Sequence, residues 1–220
     1  PRITALGGVE AVRQAVEENF AQTQRYVGEC LSRDVFDNLE AYSKAFLDAK
    51  EGLFRRRAAE QRVRDCHGDL HTAQIFLEDG ISIIDCIEFN ERFRYSDVAA
   101  DIAFLAMDLD FHGRRDLADL FIETYVQASG DPGVLGLMDF YKAYRAYVRG
   151  KVTCFRLDDP ILSEEEHRDI TSLAQAYFRL AHSYVRMPSS PILILVAGLS
   201  GTGKSTIAQE LARRWGLAYI

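Results

Sequence analysis

The stretch that most constrains this chain is a short extended segment set between long helical runs. Ile75 to Glu78 and Ile81 to Asp85 are two apolar-rich runs separated by Asp79-Gly80. Asp-Gly between such runs predicts a two-residue β-hairpin, because that turn needs positive φ at both central positions. With this loop Glu78 faces Ile81, and stepping back along the strands sets Gln74 opposite Asp85. Directly opposed residues share a face, with Cβ atoms roughly 5 Å apart. A second short extended segment, Val63 to Cys66, leads into the hairpin through His67-Gly68-Asp69-Leu70-His71.

On either side the apolar spacing is helical. Val9 to Tyr26 places Val12, Val16, Phe20 and Ala21 on one side. Ser32 is a candidate N-cap for a long helix, roughly Asp34 to Gln61, with Phe36, Leu39, Tyr42, Phe46 and Leu53 as its apolar positions. Arg55-Arg56-Arg57 near its end reads as a solvated helix terminus that suits the dipole. Further helices are expected near Asp97–Asp110, Leu117–Ala128, Leu135–Phe155 and Glu164–Val185. In the third of these, Phe140, Tyr144, Tyr147, Val148 and Phe155 form an apolar face read as core. Lys142, Arg145, Arg149 and Arg156 lie on another face, read as solvated, with an anionic substrate as the sharper alternative. Glu164-Glu165-Glu166 after Ser163 is a favourable first helical turn, and helix capping is the favoured role for Asp97.

The last part of the chain changes pattern. Met187-Pro188-Ser189-Ser190-Pro191 reads as a linker. A buried parallel strand is expected at Ile192–Ala197, then a glycine-rich turn, then a helix carrying Ile207, Leu211 and Trp215. The turn, Gly198-Leu199-Ser200-Gly201-Thr202-Gly203-Lys204-Ser205, fits the P-loop pattern. Its glycines let successive backbone N–H groups face phosphate oxygens. Lys204 would neutralise the β- and γ-phosphates, and Ser205 would offer a hydroxyl to Mg²⁺. The expected nucleotide contacts are Gly198, Ser200, Gly201, Thr202, Gly203, Lys204, Ser205 and Thr206. The domain division is therefore 1–186, a linker at 187–191, and the opening of a nucleotide-binding domain at 192–220. The strand bearing the Mg²⁺-site aspartate of such a domain is not in this sequence. Pro1 in place of Met and the stop at Ile220 both read as cuts in a longer chain.

Composition narrows the partners. With 48% hydrophobic residues in 220, there is ample material for a domain with its own core. A net charge of −7 argues against nucleic acid as a bulk electrostatic partner, while leaving room for a cationic substrate and for Mg²⁺. Cys30, Cys66, Cys86 and Cys154 form no C-x-x-C pair and read as reduced thiols of a cytoplasmic protein. No signal peptide is visible at the start, and the longest apolar run, Ile192 to Leu199, is too short to span a bilayer.

Phosphoryl transfer needs a carboxylate for the acceptor hydroxyl and oxygen ligands for Mg²⁺ on the nucleotide. Protein kinases use the Asp of H-R-D, an Asn five residues on, and an Asp beyond a hairpin. Here the corresponding positions hold Asp69, Gln74 and Asp85. His67 to Ile75, Ile84-Asp85 and Ser96-Asp97-Val98-Ala99-Ala100-Asp101-Ile102-Ala103 together resemble the aminoglycoside phosphotransferase and choline kinase superfamily. Cys66 to His71 and Asp85-Cys86-Ile87-Glu88-Phe89-Asn90 look closest to a bacterial family in which such a domain is fused to a C-terminal P-loop kinase domain. The resemblance runs from about Glu10 to the end of the chain.

The resemblance implies an α+β, mostly helical kinase-like C-lobe with a catalytic-loop hairpin, followed by the first strand, P-loop and helix of an α/β domain. It implies ATP and Mg²⁺ as cofactors and a small-molecule hydroxyl as acceptor. Asp69 would be the catalytic base, Gln74 and Asp85 metal ligands, His67 a structural residue of the loop, and Asp101 its brace. His71 is left open between substrate or metal contact and neither. Two departures from the family stand out: Gln74 replaces the usual Asn, and the N-lobe with its phosphate-binding Lys is absent from this sequence. They leave two competing readings. In one, the P-loop domain is the working kinase and the first domain a substrate-binding or regulatory module. In the other, the protein is a non-catalytic nucleotide sensor.

Overall fold

The structure is a computed structural model that describes residues 3, 7–185, 194–199, 201–215 and 219. Pro1–Arg186 and Met187–Ile220 form two compact units. The linker at 187–191, the first two residues of the strand expected at Ile192–Ala197, and Ser200 lie outside the described residues.

The first unit is mostly helical with two small antiparallel sheets, an α+β arrangement. Helix α1 (Val9–Thr23) continues into a 3₁₀ turn, and α2 (Arg33–Ala59) begins where Ser32 Oγ accepts a hydrogen bond from Val35 N. Strand β1 (Val63–Asp65) follows, then the hairpin of β2 (Ile75–Phe76) and β3 (Ser82–Ile83). A single turn, α3 (Glu91–Arg94), precedes β4 (Tyr95–Asp97) and α4 (Val98–Phe111). The unit ends with α5 (Arg115–Ser129), α6 (Met138–Phe155) and α7 (Glu164–Val185). Ser163 and Glu166 exchange hydrogen bonds at the start of α7, a reciprocal capping box.

Helix α4 is apolar on nearly every side, so it must be enclosed. Every residue from Ala99 to Asp108 is buried, and α6 packs along both α4 and α7. The approach of α6 to α7 is close enough that a Cβ at Gly150 would lie 3.0 Å from the Phe178 ring. Phe140 stacks on Phe46 of α2 at 4.7 Å and meets Phe54 edge-on at 5.9 Å.

Three expectations are corrected. The hairpin register differs by one residue: Phe76 pairs with Ser82 and Ile75 with Ile83, so Gln74 stands opposite Ile84, not Asp85. Asp79 and Gly80 do both have positive φ, but they sit inside a five-residue loop, Leu77 to Ile81. Leu77 and Ile81 are each 76% exposed, so no buried face enforces the tighter register. Next, the helix expected near Leu135–Phe155 begins at Met138, because residues 135–137 belong to a 3₁₀ turn, Pro132–Leu137. Finally, Arg57, Lys142 and Arg145 are buried, not solvated. Arg57 is 1% exposed and binds Asp97 through Nε and Nη2 at 2.7 and 2.8 Å, and Asp131 through Nη1 at 2.8 Å. Lys142 reaches Asp110 at 2.8 Å.

In the second unit, helix α8 (Lys204–Trp215) follows the glycine-rich turn and carries Ile207, Leu211 and Trp215. Ile194–Ala197 is not a strand; no described strand lies beside it to supply hydrogen bonds. No helix among the described residues is long and apolar enough to cross a membrane.

Candidate functional site

The site is built by pairing the approach to one loop with the approach to one helix. Strand β1 pairs with β4 in the register Val63 with Asp97, Arg64 with Ser96 and Asp65 with Tyr95. Cys66 N extends the ladder to Arg94 O at 3.0 Å. The chain leaving β1 is therefore delivered against the first turn of α4. Asp97 caps that helix by accepting from Ala99 N, and the other side of its carboxylate is held by Arg57.

Asp101, in the first turn of α4, accepts from His67 N at 2.7 Å and Gly68 N at 3.0 Å. Arg145 of α6 closes this arrangement: Nη1 donates to Gly68 O at 3.0 Å, Nε donates to Ala100 O at 3.2 Å, and Nη2 lies 3.7 Å from Asp101 Oδ1. Gly68 has φ +82°, and a Cβ there would stand 2.9 Å from both Phe93 O and Ile87 Cγ1. Both conformation and space demand glycine.

His67 ties this loop to the end of the hairpin. Its Nδ1 accepts from Asp69 N at 3.3 Å, so the ring proton sits on Nε2, which donates to Ile84 O at 2.8 Å. His71 is buried, with Nε2 3.4 Å from Asp69 Oδ2. Contact with His71 holds the Asp69 carboxyl below its ordinary value of 3.8 despite partial burial, with Arg145 and Arg149 adding to the effect. Asp69 is thus an ionised carboxylate at neutral pH.

Gln74 Nε2 donates to Asp85 Oδ2 at 3.1 Å. The two side chains meet although the ladder does not oppose them. Asp85 has φ +60°, a left-handed conformation that turns its side chain back toward Gln74 after β3 ends. As placed, the carboxamide offers nitrogen to the carboxylate. A half-turn of the amide would offer oxygen, and one carboxylate with one neutral oxygen is a donor set that Mg²⁺ accepts alongside phosphate oxygens and waters. Among the described residues no group of three or more His, Cys, Asp or Glu side chains is arranged to hold a metal.

One contributor escaped the sequence reading. Asp108 Oδ2 accepts from Thr72 N at 2.9 Å and from Thr72 Oγ1, anchoring the far end of the 67–74 loop. Asp101 and Asp108 are two helical turns apart on α4, so one rigid helix fixes both ends of the loop. The signal was present in the sequence as carboxylates seven apart in a helix too apolar to be solvated.

Beside Asp69 lies a cavity of about 450 Å³, bounded by α1, α6 and residues 87–96. Gly68 and Asp69 contribute to its wall, while Gln74 and Asp85 do not.

In the second unit Gly201 and Gly203 have φ +82° and +80°, and nothing lies within 4 Å of a Cβ at either. The glycines there serve conformation, not space. Lys204 Nζ and Thr202 Oγ1 both donate to Leu199 O, at 2.6 and 2.8 Å. Ser205 and Thr206 lie in the first turn of α8.

Paired carboxylates of α4 thus fix both ends of the loop, and its ionised aspartate lies beside the cavity. The phosphotransferase enzyme family matches residues 7–144, and the chain belongs to that family. It is 40% identical over 221 residues to an uncharacterized protein of Mycobacterium tuberculosis (strain H37Rv) and, at the same identity, to one of Mycobacterium bovis. Each alignment covers 99% of this chain and 43% of the relative, so the chain spans less than half the length of these proteins. No solved structure matches.

Proposed function

We propose that the full-length protein transfers the γ-phosphoryl group of ATP to a hydroxyl of a small-molecule acceptor, with Asp69 as base. The observation that carries this reading is an ionised carboxylate, kept so by His71, on a loop braced by Asp101 and opening onto a cavity. The acceptor oxygen would attack the γ-phosphorus while its proton passes to Asp69, and the bond to ADP would break. Asp85 and Gln74 would hold Mg²⁺, whose role when bound is to neutralise charge on the nucleotide phosphates. His67 and Asp101 act on loop geometry and do not touch the reacting atoms.

A second reading rests on the P-loop pattern at Gly198–Ser205. There Gly201 and Gly203 adopt the conformations that turn N–H groups toward an anion. In this reading the second unit begins a nucleotide-binding domain, with Lys204 on the phosphates and Ser205 toward Mg²⁺, and it is the working kinase.

The test is Asp69→Asn in the full-length protein, in a Lys204→Ala background that silences the second site. Loss of a positioned base should cost about 10²–10⁴-fold in phosphoryl transfer. Transfer unchanged by Asp69→Asn in that background would sink the first reading, whereas transfer already abolished by Lys204→Ala alone would favour the second.

A further inference from the structure

The cavity beside Asp69 has a charge opposite to that of the chain as a whole. The protein carries a net −7, yet four cations, Arg92, Arg145, Arg149 and Lys151, line this cavity against a single carboxylate, Asp69. Two of the cations are already committed. Arg145 braces Gly68 and Asp101, and Arg92 pairs with Glu18 at 2.9 Å.

Arg149 and Lys151 differ. Arg149 Nη2 meets the Tyr177 hydroxyl at 3.3 Å, and its guanidinium lies over that ring. Lys151 Nζ donates to Asn19 Oδ1 and Gln22 Oε1, both at 2.7 Å. These partners are neutral, and among the described residues no carboxylate hydrogen-bonds either cation. Burial pulls the Lys151 ammonium below its ordinary value, against the opposing influence of Glu18. Asp69 acts on Arg149, and Glu18 on Lys151, through space, but the hydrogen-bond partners of both cations are neutral, so each gains from an incoming anion.

The remaining wall is mostly apolar, with Phe93 and Val148 among its residues, and also carries Asn19, Ser96 and three tyrosines. A volume of about 450 Å³ suits a compact small molecule. An excess of one sign of charge in such a cleft selects the sign of its ligand. A polycationic amino sugar would have to displace or face these groups unpaired.

We propose that the acceptor is an oxyanion-bearing alcohol, a hydroxy acid or a phosphorylated polyol, whose anionic end is held by Arg149 and Lys151 and whose hydroxyl is presented to Asp69. This rests on the phosphotransfer reading for the reaction but not for the binding. The reaction balances with ATP as co-reactant. The acceptor O–H proton goes to Asp69, an O–P bond forms, the bond from the γ-phosphorus to ADP breaks, and ADP leaves.

The experiment is calorimetry on the full-length protein with four probes: D-gluconate, glycerol 3-phosphate, glycerol and kanamycin. At least one of the two anions should bind about tenfold or more tightly than both glycerol and kanamycin, and which anion binds distinguishes carboxylate from phosphate. The Arg149→Gln/Lys151→Gln double variant should weaken that anion about tenfold or more. If the double variant melts early, Val152→Glu, at an exposed position on the same wall, should weaken the anion by added repulsion. Tighter binding of kanamycin, equal binding of glycerol, or no measurable binding of either anion would overturn the proposal. Anion binding without ADP formation would instead count against the phosphotransfer reading. ADP formation only with neutral or cationic acceptors would count against the anion site alone.

Discussion

Removing the Asp101 carboxylate tests how the loop carrying Asp69 is held. Asp101 is 8% exposed and accepts two backbone N–H bonds, from His67 and Gly68. In Asp101→Ala both donors lose their partner in a buried setting, at roughly 1–3 kcal/mol each. Arg145 also loses its carboxylate neighbour, so the total should be at least about 2–6 kcal/mol. For a unit of this size each kcal/mol lowers Tm by roughly 2–4 °C, which predicts a fall of roughly 4–24 °C or more. Asp69→Ala is the control. That side chain is 35% exposed and contacts His71 at 3.4 Å, so its removal leaves no buried backbone donor bare. Urea and thermal unfolding of the full-length protein should show a clear drop in the first unit's transition for Asp101→Ala and a much smaller one for Asp69→Ala. An unchanged urea m-value would place the effect in the native state. If Asp69→Ala is the more damaging change, Asp101 is not the brace and the argument from hydrogen-bond accounting fails.

Three further outcomes follow from other contacts. Arg57→Ala leaves Asp97 a buried carboxylate without its cation and Asp131 with only Arg62, 3.6 Å away, and should cost about 3–5 kcal/mol by urea midpoint; a loss below about 1 kcal/mol, typical of surface pairs, would contradict the burial. Asp69 should titrate below 3.8 by carbon-detected NMR, and His71→Gln should move that midpoint up, since His71 is the largest cause of the depression. Because the folded-state value is the lower one, its stabilising contribution is complete above pH 3.8 and is lost as pH falls through the folded value; a midpoint above 3.8 in the wild type would refute this. Lys204→Ala should weaken ATP binding at the second unit, measured by calorimetry with Asp85→Asn in place to disable the first site; unchanged affinity there would remove the P-loop reading.

Much of the helical framework was legible because apolar spacing and end signals are local. Ser32 marks the start of α2, and Glu164–Val185 has the bounds that its pattern predicts. The order His67, Gly68, Asp69, Gln74, Asp85, Asp101 is a local pattern too, and it sufficed to nominate the site. The hairpin register was not legible. Exposed Leu77 and Ile81 leave alternation without a buried face to select between registers one residue apart. The contact between Gln74 and Asp85 was inferred from a pairing that does not form. It arises from the left-handed backbone at Asp85, a conformation that no spacing rule assigns to aspartate.

By itself, then, the sequence determined the positions of the helices and the need for glycine at Gly201 and Gly203, and it nominated candidate site residues. Those properties depend on neighbours within a few residues. Only tertiary structure decided the fate of the charges. Arg55, Arg56 and Arg57 read alike in sequence, yet Arg57 alone is enclosed between Asp97 and Asp131, which arrive from 40 and 74 residues away. Arg145 and Arg149, one turn apart on α6, diverge in the same way, the first spent on the Asp69 loop and the second left toward the cavity. Whether a cation is solvated, structural or available to a ligand depends on desolvation and on which carboxylates the fold brings near, and both are properties of distant segments packed together.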